Sequence, residues 1–359
     1  MKVNRTEQIY LKYDSNISNQ CHFSKNLYNQ VNYILRQAFL KKEKMPSYNN
    51  LVKQFQLPSE NNENNNYQKL PAKTAQWTIK TTTIAWLSFF RAKKEYNKDP
   101  DKFTGRPGIP DYKEKNGEFI LILTNQQCRI EDGILKFPRI MELEVKTRLK
   151  DVDLREVRIV PQGVGYTVEI VYRKEIEDIA DRESKRIIGI DFGIRNTVTI
   201  ADSIGNKPIA VKGGALNSVN QYFNKENARL KSISDRQFGN KFLTRREKKI
   251  FSMRKRKIYD IMHKISRFIV DDAREKGIDT IVMGHNEGWK QNVNIGKKNN
   301  QKFVQIPFNI LISMIQYKAE ESGIQAIVID EAYTSKSSFL DNEIIEHHNN
   351  YAGKRTSRG

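Results

Sequence analysis

The spacing of apolar residues changes character along this chain, and the changes divide it. The opening IYLKY reads as a short strand. Between Ser24 and Phe39, Leu27, Val31, Ile34, Leu35 and Ala38 recur at helical spacing. The stretch 59–66, SENNENNN, is polar and Asn-rich and reads as a loop. A second helix opens near Pro71, a favoured first-turn residue, runs through Ala75, Ile79, Ile84, Leu87 and Phe90 to about Tyr96, and stops at Asp99-Pro100. The Pro- and Gly-rich segment 104–117 reads as a linker. After it, FILILT and ILKFP read as strands flanking the turn Glu131-Asp132-Gly133, and 157–173 reads as a second hairpin. This middle block is expected to be a small antiparallel sheet or barrel. From Arg186 the pattern changes. IIGIDFG reads as a wholly apolar strand and TVTIAD as its successor. A long basic helical region follows over roughly 218–276, then DTIVMG (279–284), a helix at about 307–322, and QAIVID (325–330). Strands alternating with helices predict a mixed α/β sheet.

At 359 residues the chain has room for two or three domains of about 150 residues each. Its 17 Phe and 15 Tyr supply enough apolar bulk for real cores, which argues against global disorder. No run of about 18 apolar residues is present, so a membrane helix is not expected, and the first residues lack the apolar region of a secretory signal. Cys21 and Cys128 are too few for a disulfide framework or a four-cysteine zinc site. A bacterial cytoplasmic, nucleoid-associated setting is the expectation. The net charge of +20 points to a polyanion, nucleic acid above membrane. Residues 225–267 carry 15 Lys and Arg against 4 Asp and Glu. Solvated helix faces usually mix both signs, so a helix hairpin that tracks phosphates is favoured over a solvated face.

The residues with chemistry begin at Ile187–Asn196, IIGIDFGIRN. An acid at the end of a buried strand lies at the sheet's edge, where a divalent metal fits, although a turn or cap role for Asp191 is an equal reading. Gly193 would let a phosphate or the next strand approach closely. GIDFGIRN resembles the first RuvC-like motif of the TnpB/OrfB proteins encoded by bacterial insertion sequences. The run GHNEGWKQ…NIGKKNNQKFVQIPF…YKAEESGI…IDEAYTSKSSFLD over 284–341 is similar to the same family. Residues 70–96 resemble its helical recognition lobe, and GRPGIPDYK (105–113) its entry into a wedge-like β domain. The resemblance covers nearly the whole chain.

The resemblance implies an α+β multidomain fold. A wedge-like β domain would use residues 1–15 and 105–180, with a helical lobe (16–104) inserted. An RNase-H-like (RuvC-like) α/β domain over 185–359 would follow, lacking its C-terminal part, with the basic hairpin 218–276 projecting toward the heteroduplex. It also implies RNA-guided DNA cleavage, with Mg²⁺ held by an Asp, a Glu and a second Asp. Asp191 matches the first. The second commonly ends the strand that here reads IVMG, where this chain has Gly284. A subfamily with the YTSK motif supplies the acid from the neighbouring strand, a role that Glu331 fits and that Glu287 and Asp330 fit less well. The third Asp lies in the family beyond the segment matching AGKRTSRG, and the sequence stops at Gly359. Asp341 and Glu343 follow YTSK without matching that position. Ser338 and Asp341 stand where zinc-ribbon cysteines are expected, so no zinc is anticipated.

With a carboxylate missing, cutting is expected to fall by orders of magnitude. The sequence then resembles TldR proteins, nuclease-dead TnpB derivatives that repress promoters by RNA-guided occupancy, with guide RNA and double-stranded target DNA as partners and no cofactor required for binding. The alternatives are an active endonuclease with a rearranged Asp191/Glu331 site and Mg²⁺, or a decayed relic. Binding without cutting is physically coherent, because base pairing carries the specificity, and contacts to a flanking motif and the backbone tip a nearly balanced strand exchange. Candidate backbone contacts are Arg245, Arg246, Lys248, Lys249, Arg254, Lys255, Arg256 and Lys257. Lys73, Gln76, Thr78 and Lys80 lie on the helix where the family reads its flanking motif. Trp289 and Lys290 are candidates to stack on or clamp nucleic acid, with packing under a loop the competing role for Trp289. Tyr333 is similarly divided. His285, His347 and His348 lack Cys or His partners at metal spacing and are expected on the surface or in loops. No HUH motif marks a transposase with Tyr or His chemistry, and a plain basic RNA-binding protein has no need of acids at sheet edges.

Overall fold

The computed structural model describes residues 1–57, 65–176, 185–239, 243–285, 296–331, 337–338 and 341–352. Two compact units result: Lys2–Glu175, and Ile176–Gly359 together with Met1.

In the first unit, β1 (Lys2–Lys12) leads into α1 (Ser15–Leu40), which is capped by Asp14, whose carboxylate accepts from the Ile17 amide at 2.9 Å. The helix begins about two turns earlier than its apolar spacing predicted, because Asp14 fixes the start. A short helix that the sequence reading did not contain, α2 (Tyr48–Gln56), is capped by Ser47 and buries Leu51 and Phe55. The next helix, α3 (Ala72–Lys98), follows Pro71 as expected. Its Trp86 packs with Phe39, Phe89 and Phe90, and the indole N–H donates to Asn32 Oδ1 at 2.8 Å, so the one polar atom of that ring is satisfied inside the core.

Six strands follow: β2 (Leu121–Thr124), β3 (Arg129–Glu131), β4 (Ile134–Lys136), β5 (Glu144–Lys146), β6 (Asp153–Pro161) and β7 (Gly165–Glu175). With β1 they form a sheet of order β1-β7-β6-β2 and a second of order β3-β4-β5. The hairpin at 157–173 is antiparallel as expected. FILILT, however, does not flank the Asp132-Gly133 turn. That position belongs to β3, and the FILILT strand pairs with β6. Helices and strands of this unit share one hydrophobic core, from Ile17 and Trp86 to Val157 and Ile170.

The second unit is built on β8 (Ile187–Phe192), β9 (Asn196–Asp202), β10 (Ile209–Lys212), α4 (Gly214–Phe238), α5 (Arg245–Glu275), β11 (Thr280–Gly284), α6 (Lys297–Gln305), α7 (Phe308–Glu321) and β12 (Gln325–Ile329). The sheet order is β10-β9-β8-β11-β12. The strands β8, β11 and β12 run parallel, while β9 pairs antiparallel with β8 and β10 antiparallel with β9. This is the mixed α/β sheet the alternation of elements predicted. One expectation changes: β8 is not buried on both faces. Ile188, Ile190 and Phe192 point into the core, while Gly189 and Asp191 lie on the other, more open face. The core beneath β8 comes from Ile258, Met262, Ile265, Ile269 and Ala273 of α5 and Leu311 and Ile315 of α7.

The basic region is a helix hairpin, and only part of its second helix is anchored. The 31 residues of α5 span about 46 Å at 1.5 Å per residue. Its C-terminal half supplies the core residues, whereas residues 245–257 supply none. A capping box holds the start, with Thr244 and Glu247 bonded reciprocally. Among the described residues no helix is long and apolar enough to cross a membrane.

Candidate functional site

Parallel strands gather their carboxyl ends on one edge of a sheet, and loops leaving that edge are where α/β folds place chemistry. Here the edge collects the ends of β8, β11 and β12. The register sets Met283 of β11 opposite Ile190 of β8, and Gly284 opposite Ile329 of β12. Asp191, one residue beyond Ile190, and Glu331, two beyond Ile329, are thereby carried to the same edge.

Electrostatics shows that the two acids feel one another. Burial raises the Glu331 carboxyl above its ordinary value, and the Asp191 charge raises it further; His285 works in the opposite direction and Asp330 adds to the rise. Asp191 is also raised, chiefly by burial, with the Phe192 amide partly offsetting it. Two carboxylates held close and partly out of water repel, and such an arrangement is costly unless a cation joins it.

Gly284 explains how Glu331 gets there. A Cβ built on Gly284 would overlap the Oε1, Cδ and Cγ atoms of Glu331. The Glu331 side chain therefore runs through the space that any side chain at 284 would need. The acid of the neighbouring strand end is admitted only because β11 ends in glycine. Gly193, just past β8, has a different reason: its missing Cβ leaves room for the Asn196 carbonyl, which a Cβ would approach to 2.8 Å. Of the two roles expected for Gly193, close approach of the next strand accounts for it.

His285 stands in a loop position one residue past β11, as expected, and is half-buried there: its backbone N–H donates to Ile329 O at 2.9 Å, its Nε2 lies 2.7 Å from Asn309 Oδ1, and it lies within electrostatic reach of Glu331. Its nearness to Glu331 follows from the parallel pairing of β11 with β12, which brings position 285 beside the residues after Ile329. His347 is exposed, and His348 contacts Ile344 O at 2.8 Å and the Tyr351 ring.

Asp341 and Glu343 are bound into a local turn. Ser338 donates its hydroxyl to Asp341, and Glu343 accepts from the amides of Ser338 and Ala352, which hold its carboxyl below the ordinary range. Glu287, Trp289, Lys290 and Tyr333 lie outside the described residues. No group of three or more His, Cys, Asp and Glu able to hold a metal occurs among the described residues. A pair of carboxylates is nevertheless a donor set with which Mg²⁺ is commonly held, completed by water and substrate phosphate oxygens. Asp191 and Glu331 fit that role.

The expected cations are distributed unevenly. Arg245, Arg246, Lys248, Lys249, Lys255, Arg256 and Lys257 are exposed on α5. Arg254 is half-buried and already engaged: Nε donates to Asn220 Oδ1 at 2.8 Å and Nη2 to Gln305 O at 3.1 Å. It is a brace between helices rather than a free phosphate contact. On α3, Lys73 and Lys80 are exposed, with Lys80 lying 4.3 Å from the Trp77 ring centre, and Gln76 is half-buried near the Tyr67 hydroxyl. Thr78 is a correction. It is buried, with its hydroxyl donating to Thr74 O at 3.1 Å and 2.9 Å from Ser24 Oγ, so it ties α3 to α1 and offers nothing to a ligand. The phase of α3 turns that position inward.

Residues 169–290 match a family model named OrfB_IS605 and described as a probable transposase. The chain is 26% identical over 351 residues to the TnpB-like protein ORF457 of Acidianus two-tailed virus, covering 87% of this chain and 73% of the viral one. It is 28% identical over 157 residues to the TnpB-like protein MJ0751 of Methanocaldococcus jannaschii, covering 42% of this chain and 55% of that one. Among solved structures, the protein of a Cas12f1–sgRNA–target DNA complex superposes with a TM-score of 0.54 at 12% identity, over 94% of this chain and 77% of that one. The last is a likeness of fold. Together these findings support the TnpB/OrfB resemblance carried by the motifs.

Proposed function

We propose that this chain is an RNA-guided protein that binds double-stranded DNA beside a short flanking motif and occupies it without effective cutting, so repressing transcription. The observation that carries the reading is the carboxylate pair Asp191–Glu331 at the sheet's edge, in the same unit as the cationic first half of α5. The pair is the remnant expected of a phosphodiester-cutting site, and the cations suit a guide or heteroduplex backbone. Cleavage with two metals about 3.5–4 Å apart asks for several converging carboxylates. Asp191 and Glu331 supply two of them, a set better suited to binding than to cutting.

A second reading, an RNA-guided endonuclease using Mg²⁺, is favoured by Gly284. A side chain there would displace Glu331, so the repulsive acid pair depends on a specific vacancy, which is what a working rearranged site needs.

The test is to purify the protein with its native flanking locus expressed, sequence the bound RNA, and offer the complex a matching target with randomised flanking bases and Mg²⁺. A discrete RNA, motif-dependent binding and intact DNA are expected. Cut DNA would establish the endonuclease instead. Absence of a discrete RNA would overturn guided targeting altogether.

A further inference from the structure

Between α4 and the first half of α5 lies a cavity of about 250 Å³, lined among others by Val219, Tyr222, Ile250, Met253, Arg254 and Lys257. Ile250, Met253, Arg254 and Lys257 follow one another at positions i, i+3, i+4 and i+7, so they form one stripe of α5 facing α4. The cavity has an apolar floor and a cationic rim, within the stretch of α5 that the core does not use.

Two aromatic rings stand there in opposite conditions. Phe223 is buried: the Arg254 guanidinium covers one face at 5.0 Å and the Phe251 ring meets it edge-on at 4.8 Å. Its packing is complete. Tyr222, its neighbour, is 59% exposed. A large open ring lining a cavity whose α5 side carries Lys257 contributes little to the fold. Arg254 is not free to swing in and fill the space, because Asn220 and Gln305 hold it.

We infer that this cavity receives a single unpaired nucleobase of the RNA partner, stacked on Tyr222, with its flanking phosphate at Lys257; this rests on the proposed guided function. Open aromatics interleaved with cations are the means by which proteins hold unstacked bases, since every base offers a π face. Cationic edges suit a phosphate chain and disfavour an apolar peptide or a lipid tail. RNA is the chosen source because folded RNA presents splayed bases in bulges and loops, whereas the bases of a duplex stay stacked inside it.

The test uses the full chain, stripped of co-purified RNA, and three labelled probes: an RNA hairpin with one bulged base, the same hairpin fully paired, and a bulged DNA hairpin. Affinities are read by fluorescence anisotropy. Wild type should prefer the bulged RNA over both others. Tyr222→Ala should weaken the bulged RNA about tenfold and leave the paired one unchanged. Tyr222→Trp, which keeps a stacking ring, should retain the preference and so separates lost stacking from a damaged fold. Indifference of the wild type to the bulge, equal losses on both RNA hairpins, or equal affinity for bulged DNA would overturn the inference. Salt-dependent RNA binding that ignores the bulge would overturn the cavity while leaving guided targeting intact; no RNA binding at all would overturn both.

Discussion

Replacing Gly284 with alanine is the smallest change that interrogates the acid pair. The added Cβ falls on the carboxyl end of Glu331, a flexible group that can retreat without disturbing backbone. Glu331 should leave Asp191, and the donor set for a divalent ion should fall from two carboxylates to one. Loss of groups that merely support a metal site weakens affinity about 10–100-fold, and loss of a direct ligand belongs at the upper end of that range. At a Mg²⁺ concentration of about 100 times the wild-type Kd, binding stabilises wild type by about 2.7 kcal/mol and a variant with a 100-fold weaker Kd by about 0.4 kcal/mol. For a unit of this size that difference corresponds to about 5–9 °C in Tm. Without metal the order should reverse or vanish. Alanine is favoured over glycine in a strand by about 0.5–1 kcal/mol, and the repulsion between the acids is relieved. Calorimetry of both proteins in EDTA and in Mg²⁺ measures all four values. An unchanged Mg²⁺ shift in Gly284→Ala, or a Tm that drops by several degrees in EDTA, would refute the reasoning.

Other outcomes follow from the same geometry. Asp191 and Glu331 titrate above their ordinary values of 3.8 and 4.5, so each costs stability when ionised; that cost is absent below the ordinary value, grows as pH rises to the raised one, and is complete above it. Metal-free Asp191→Asn and Glu331→Gln should therefore be more heat-stable than wild type at neutral pH, with the gap closing on acidification; a gap indifferent to pH would count against the pair. Lys318 is buried, donates to His263 O at 2.8 Å and Ser266 Oγ at 2.6 Å, and burial lowers it from 10.5 to about 8. Its charge opposes folding below about 8, so stability should climb as pH rises from about 8 to 10.5, and Lys318→Met should flatten that climb in urea midpoints taken on either side of the interval. Neutralising Lys248 and Lys249 together should make the slope of log K against log salt shallower by about 0.9 per lost contact on duplex DNA; an unchanged slope would remove that face of α5 from the interface.

Periodicity found what local spacing encodes. The long helices, the alternating block and the basic hairpin were legible because each repeats over many residues. The helix α2 was not, since Leu51 and Phe55 are its only buried apolar side chains and Ser47 its only start signal. The strand at FILILT was legible but its partner was not, because pairing across some thirty residues leaves no mark on either segment. Thr78 misled because a helix with several threonines and lysines gives a weak phase. At the site, Asp191 was visible from its motif and Glu331 from the resemblance. The vacancy at Gly284 and the nearness of His285 are properties of three strand ends in register, and no single segment contains them.

The overlap at Gly284 also works as an exclusive-or. A side chain at 284 and the carboxyl of Glu331 as it now lies claim one volume, so that volume can be filled from one strand end or the other but not from both at once. The edge therefore holds one acid beside Asp191 whichever strand supplies it, and the identity of the residue at 284 decides which strand does.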